Sequence, residues 1–359
     1  MAEALSSELS HPLSALSSQG ASQSMAVDAM HADSLSDAVL TGPLLSSAFN
    51  DVTAGSSTWQ VPSKPTQLVG FWPTFKDAWV LTKPGIIKSS MVVSAGSMTL
   101  VHNGNSFSQW IFTLLGIAFS VAGAGALNML VERDLDRLMT RTRERPLADR
   151  RMHPLFAALF GGLLSLFALA FMYQAGGTLG VGLTLFAQFS YLLVYTPMKR
   201  VSWWALVVGA IPGALPILMG TAALTGKIEP VGLALAGMLF FWQLPHFIAI
   251  SIYRESEYTN AGYPVLPLVH GHNIAVAVTF LTTILLVACS FVLLPIGVAG
   301  PVYAIAAFLA GGFFLYRAAQ GFRTPRINPW ARKVFLASLV HQVVLFGALV
   351  LDVGLAAWL

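Results

Sequence analysis

Asn128, Glu132 and Asp136 stand four residues apart at the end of an apolar run, in the stretch Asn128-Met-Leu-Val-Glu132-Arg-Asp134-Leu-Asp136-Arg-Leu-Met139. If the helix continues through this stretch, each steps about 40° from the last, so one amide and two carboxylates share a face. Hard oxygen donors of this kind suit Mg²⁺, which keeps several waters and bridges one or two carboxylates to substrate phosphates. Arg133, Arg137, Arg141, Arg143 and Arg145 surround them with fork-shaped donors that match phosphate oxygens. The same residues could equally form a solvated helix end whose acids and arginines pair with one another. Spacing alone leaves both readings open.

Two further clusters follow. Tyr195-Thr-Pro197-Met-Lys199-Arg200 puts Tyr195 and Lys199 on one face if Pro197 leaves the turn intact; a Tyr and Lys anchor at the membrane interface is the alternative. In Trp242-Gln243-Leu-Pro245-His246-Phe247, Gln243 and His246 interrupt an apolar span, where polar side chains face a cavity or bond to another helix. Pro245 is expected to kink that span. The segment then exits through Arg254-Glu255-Ser-Glu257-Tyr258. Carboxylates from two loops, with basic residues between them, could grip a metal-bound diphosphate while an apolar bundle holds a hydrocarbon tail.

The elements that must position these groups are membrane helices. The chain is 55% hydrophobic and 10% charged, against roughly a quarter charged in ordinary soluble domains. Nine spans are expected, at 85–102, 109–130, 154–175, 178–197, 203–223, 229–252, 272–295, 298–319 and 333–356. With the N-terminus cytoplasmic, they leave only Lys227 of the twenty Lys and Arg residues outside, the asymmetry of the positive-inside rule. That rule explains the net charge of +4 without a nucleic-acid partner, but not Glu132, Asp134, Asp136, Glu144, Asp149, Glu255 and Glu257 in the same loops. Acids contribute little to orientation, so they need another reason. Residues 1–70 are rich in Ser and Ala, fit neither a secretory nor a mitochondrial leader, and read as a disordered tail ahead of a membrane domain over 71–359. Cys289 is the single cysteine, which excludes a disulfide framework, a zinc site or an iron–sulfur cluster within the chain.

These residues resemble the UbiA superfamily of intramembrane prenyltransferases, with its Asn and two acids spaced by four, its Tyr-x-x-x-Lys element and its second acidic loop. Within it, Glu-Arg-Asp-Leu-Asp-x-x-Met-x-Arg-Thr-x-x-Arg-Pro-Leu at 132–147, Trp-Gln-Leu-Pro-His-Phe at 242–247 and Glu-Tyr-x-x-Ala-Gly-x-Pro-Val-Leu-Pro at 257–267 are similar to the branch that farnesylates heme. The resemblance covers the bundle from about Lys83. It implies an all-α polytopic membrane protein, a bundle of nine transmembrane helices, in a bacterial inner membrane with its acidic loops cytoplasmic. Farnesyl diphosphate would be the donor, heme B (protoheme IX) the acceptor substrate, Mg²⁺ the cofactor and membrane lipid the surroundings. Glu132, Asp136 and Glu257 would hold the metal and, with Asn128 and Lys199, form the catalytic set. Arg133, Asp134, Arg141, Arg145, Tyr195, Gln243, His246, Arg254 and Tyr258 would contact substrates. A vinyl carbon of heme would attack the allylic cation, water would capture the resulting cation as a hydroxyl, and the heme O formed would pass to a downstream heme A synthase.

His246 is the best placed of the histidines to meet heme, ahead of His270, His272 and His341. Positions 132 and 257 are Glu where the family pattern usually has Asp, and the second loop lacks the usual pair of aspartates. A UbiA-type enzyme for an aromatic or quinone acceptor would share the diphosphate site. A secondary transporter would instead line a midplane pathway with charge, whereas these charges gather at loop ends.

Overall fold

The computed structural model describes residues 72–101 and 104–356; the expected tail over 1–70 lies outside them. The α-helices of six or more residues are α1 Phe75–Leu81, α2 Pro84–Thr99, α3 Phe107–Asp136, α4 Pro154–Phe189, α5 Ala205–Thr225, α6 Pro230–Tyr253, α7 Glu255–Asn260, α8 Leu266–Ser290, α9 Pro301–Ala319 and α10 Ile327–Ala356, and no strand occurs among the described residues. Local chemistry sets many of their ends. Pro opens α2, α4, α6 and α9, where a missing N–H costs nothing, and Ser106 accepts the Gln109 N–H to cap α3.

Seven of these helices are long and apolar enough to cross a membrane, and the chain is a multi-pass membrane protein. By length and composition the count is seven rather than nine, and the difference has two sources. Helix α2 has only sixteen residues. Helix α4 covers what were expected to be two spans, but its backbone leaves the helical region at Gly176 and at Gly177, where φ is 57°. Glycine alone tolerates that turn without strain. A methyl group on Gly180 would lie 2.5 Å from the Met172 carbonyl oxygen, whereas eight residues of straight helix separate such positions by about 12 Å. The chain therefore doubles back at the glycine pair.

Helices α3 and α4 pack along their length through small residues: a methyl on Gly123 would meet Ser165 and the backbone of Gly161. Helix α6 lies between α5, α8 and α10, and the largest apolar cluster, with Leu235, Ile248, Tyr303, Phe314 and Trp330, fills that half. It continues through Pro245 as one helix. Leu166, Phe308, Leu309 and Val343 point outward and are largely exposed, as lipid-facing side chains are. Asp352 on α10 accepts the backbone N–H groups of Gly300 and Tyr303, each at 2.8 Å, and so closes the start of α9.

Candidate active site

One cavity of about 480 Å³ opens between α2, α3, α4, α5 and α6 and under the segment after α7. Asn128, Glu132 and Asp136 line it together, as their spacing requires, and all three are buried. Each carries a specific partner. Both Asp136 carboxylate oxygens accept from Arg145 Nη1, at 2.9 and 2.8 Å, and Glu132 pairs with Lys199 Nζ. Asn128 Oδ1 accepts from Lys83 Nζ at 2.5 Å, and its Nδ2 donates to Thr196 Oγ1 at 3.0 Å.

Loop folding brings those cations in. After α3 the chain turns at once, Thr142 Oγ1 donating to the Asp136 carbonyl at 2.9 Å, which aims Arg145 back at the helix end. Arg151 ties the same loop to α1 through Asp77 and to the Glu144 carbonyl at 2.7 Å. Lys199 arrives by a different device. Pro197 cannot donate an intrahelical hydrogen bond, and the chain before it widens into a π turn, Ser190–Tyr195. The turn is thus not left as regular α-helix, yet Tyr195 and Lys199 both reach the cavity, Lys199 Nζ lying 5.6 and 5.4 Å from the ring centres of Tyr195 and Tyr263.

Lys83 has the left-handed backbone, φ 56° and ψ 60°, directly before Pro84. A non-glycine residue held there stores strain, a feature that collects at functional sites. It directs the side chain inward against Gly125 and toward Asn128. Burial pushes the Lys83 ammonium down to about 7, Arg145 adding to the fall and Glu132 opposing it. Burial likewise pushes the Tyr263 hydroxyl up to about 12, with Lys199 working against it.

Below this charged mouth the wall becomes apolar, with Ile117, Val121, Ala124, Leu206 and Met219, broken by Ser120, Gln188 and Gln243. Gln243 Nε2 donates to the Ala210 and Leu239 carbonyls, both at 3.1 Å.

Of the residues singled out in the sequence, Asn128, Glu132, Asp136, Arg141, Arg145, Tyr195, Lys199, Gln243 and Tyr258 share this cavity. Five are elsewhere. Arg133 and Asp134 pair with each other on the outer side of α3, Asp134 also bonding Arg137 at 3.1 Å. Arg254 and Glu257 form a 2.8 Å pair at the start of α7. His246 turns to α10, where Ser338 Oγ, already donating to the Phe335 carbonyl, accepts from His246 Nδ1 at 2.8 Å; Trp242 stacks on the ring at 4.5 Å. Conversely, Lys83, Gln188, Tyr191 and Tyr263 line the cavity unforeseen.

A charged mouth with hard oxygen donors above an apolar well can bind a metal-bridged anion on a hydrocarbon tail. Residues 90–339 match the UbiA prenyltransferase family. The chain belongs to the UbiA prenyltransferase family. Among UbiA relatives, the protoheme IX farnesyltransferase of Sorangium cellulosum is 46% identical over 68% of this chain and 87% of its own length. That of Anaeromyxobacter dehalogenans is 43% identical over 77% and 94%. The fold agrees. A digeranylgeranylglyceryl phosphate synthase structure superposes with TM-score 0.68 at 15% identity, over 77% of this chain and 98% of that one. A UbiA homologue from Archaeoglobus fulgidus bound to GPP and Mg²⁺ gives 0.54 at 18%, over 76% and 99%.

Proposed function

We propose that this chain transfers the farnesyl group of farnesyl diphosphate to a vinyl group of protoheme IX (heme B), with capture of one water, giving heme O and diphosphate. The observation that carries the reading is the single cavity in which Glu132 and Asp136 face Lys199 and Arg145 above an apolar well. Relatives that share 43–46% of their residues over most of the chain are protoheme IX farnesyltransferases, which supports heme as the acceptor over an aromatic or quinone ring.

The donor set fits Mg²⁺. Glu132, Asp136 and the Asn128 amide oxygen are hard donors on one helix face, and Glu132 Oε1, although beside Lys199, has no hydrogen bond of good geometry. Among the described residues no group of three or more His, Cys, Asp or Glu side chains is placed to hold a metal. This suits an ion that takes part of its shell from water and substrate phosphate. When bound, the ion supplies Lewis-acid neutralisation of the leaving group.

The chain's own residues do the rest. Glu132 and Asp136 would hold the metal, and Lys199 and Arg145, which pair with them in its absence, would then be free, with Lys83 and Arg141, to donate to diphosphate oxygens. Charge on the departing diphosphate is met by donors already in place. Glu257 would reach the metal only if its pair with Arg254 opened, while Arg133 and Asp134 pair on the outer side of α3. The apolar wall keeps bulk water from the allylic centre. The distribution of basic residues supports cytoplasmic acidic loops in a bacterial inner membrane, and heme O as product implies a heme A synthase as consumer.

The test is transfer by purified protein given farnesyl diphosphate, heme B and Mg²⁺. A farnesylated, hydroxylated heme together with diphosphate is expected. Diphosphate release that needs a phenol or quinone in place of heme would overturn the reading.

A further inference from the structure

Gln188 lines the cavity from α4, is nine-tenths buried, and its Nε2 has no hydrogen-bond partner. It stands ten residues before Met198, where that span ends. That is about 15 Å along the helix, near the middle of a hydrocarbon core roughly 30 Å thick. Gln243 stands as far before Tyr253, the end of α6. Because its Nε2 gives both hydrogens to backbone carbonyls, Gln243 keeps Oε1 as its remaining acceptor. Ser120, from α3, adds a hydroxyl to the same wall. A donor without an acceptor is costly at this depth, and a hydrocarbon tail cannot supply one.

The acceptor that Gln188 calls for is neutral. Phosphate or carboxylate would need a counter-charge, and the cations on the cavity wall, Lys83, Arg141, Arg145 and Lys199, belong to its mouth. The reaction proposed above consumes one small neutral acceptor, which is water, and a bound water needs two to four polar partners.

Resting on that reading, we infer that Gln188 is a positioning residue that holds the water captured during transfer. The bond between the prenyl carbon and the diphosphate oxygen breaks, its electron pair leaving with diphosphate. The vinyl π pair forms the new carbon–carbon bond and leaves a cation on the carbon next to the macrocycle. A lone pair of the held water closes on that cation, and the surplus proton passes to a diphosphate oxygen. Without a placed water the cation would instead lose a proton and give an alkene.

The experiment compares wild type, Gln188→Leu and Gln188→Glu in oxygen-labelled water, resolving hydroxylated from unhydrated farnesyl heme by mass and measuring KM for both substrates. Gln188→Leu should raise the ratio of alkene to alcohol about tenfold or more, the worth of one hydrogen bond in a competition between two exits. Farnesyl diphosphate binding should persist, and Gln188→Glu, whose protonated acid can still donate, should restore the alcohol. If Gln188→Leu no longer binds farnesyl diphosphate, Gln188→Met carries the same comparison. A wild-type product ratio in the variant overturns the inference, as does a raised KM for heme with that ratio unchanged, which would mean that Gln188 contacts the acceptor's edge. Absence of farnesylated heme from wild type overturns the reaction itself and is seen before any variant is compared.

Discussion

Lys83 and Asn128 meet at the head of the cavity, Lys83 Nζ donating to Asn128 Oδ1 at 2.5 Å while Asn128 passes the link to Thr196. Because burial holds Lys83 at about 7, well below the ordinary lysine range, its charged fraction falls as pH rises through that value. Affinity for farnesyl diphosphate should therefore weaken as pH rises through about 7. Bound diphosphate favours the ammonium, so the matching inflection in kcat should lie higher than that in kcat/KM. Lys83→Met should flatten the profile and weaken binding. Isothermal titration across the pH range measures both, and a variant that keeps the wild-type inflection would show that another group titrates.

Asp136 and Glu257 separate a wall carboxylate from a rim carboxylate. Asp136→Asn should lower transfer about 10²-fold or more, the scale on which one lost electrostatic contact to a transition state registers. Glu257→Gln should be much milder, since its partner Arg254 stands with it off the cavity wall. Single-turnover rates at saturating Mg²⁺ compare them; equal losses would place Glu257 in the metal shell.

His246→Ala should act on stability alone. Its hydrogen bond to Ser338 joins α6 to α10, and such interhelical bonds in membranes are worth about 0.6 kcal/mol on average, to which the loss of its stacking on Trp242 adds. A lowered melting temperature with unchanged heme and farnesyl diphosphate titrations is expected. A weakened heme curve would return His246 to the acceptor site.

Reporter fusions after Asp149 and after Leu359 should mark opposite faces of the membrane, with Asp149 cytoplasmic. That outcome requires the doubling back of α4 at Gly176 and Gly177. Reporters on the same face would mean that the chain crosses the membrane one time more or fewer.

How much of this was legible depended on whether a residue's neighbours in sequence are also its neighbours in space. Asn128, Glu132 and Asp136 were readable because helical period alone puts them on one face, and α3 continues to Asp136. Gln243 and His246 show the limit: three apart on one helix, they carry the same signal of polarity in an apolar span, yet one faces the cavity and the other α10. Only packing decides between them. Lys83 was hidden among the basic residues that the positive-inside rule would account for, and its inward turn comes from a left-handed φ that no propensity announces. The chain's reversal was legible because two adjacent glycines break an apolar run too long for one span. Gln188 carried the same signal as Gln243 and could have been found by it.

Helix α5 meets the cavity through Gly209 and Gly213, and at both places a single added methyl would run into a lining side chain, the Tyr195 ring at one and the Gln243 amide at the other. The bore of the cavity is thus gauged from behind by two hydrogen atoms on a helix that carries none of the ionised groups at the mouth. Width and charge are separately adjustable in this architecture. Alanine at Gly213 would narrow the chamber at mid-depth and leave every ion pair at the entrance intact, so that the size of molecule admitted could diverge among relatives while the means of releasing diphosphate stays the same.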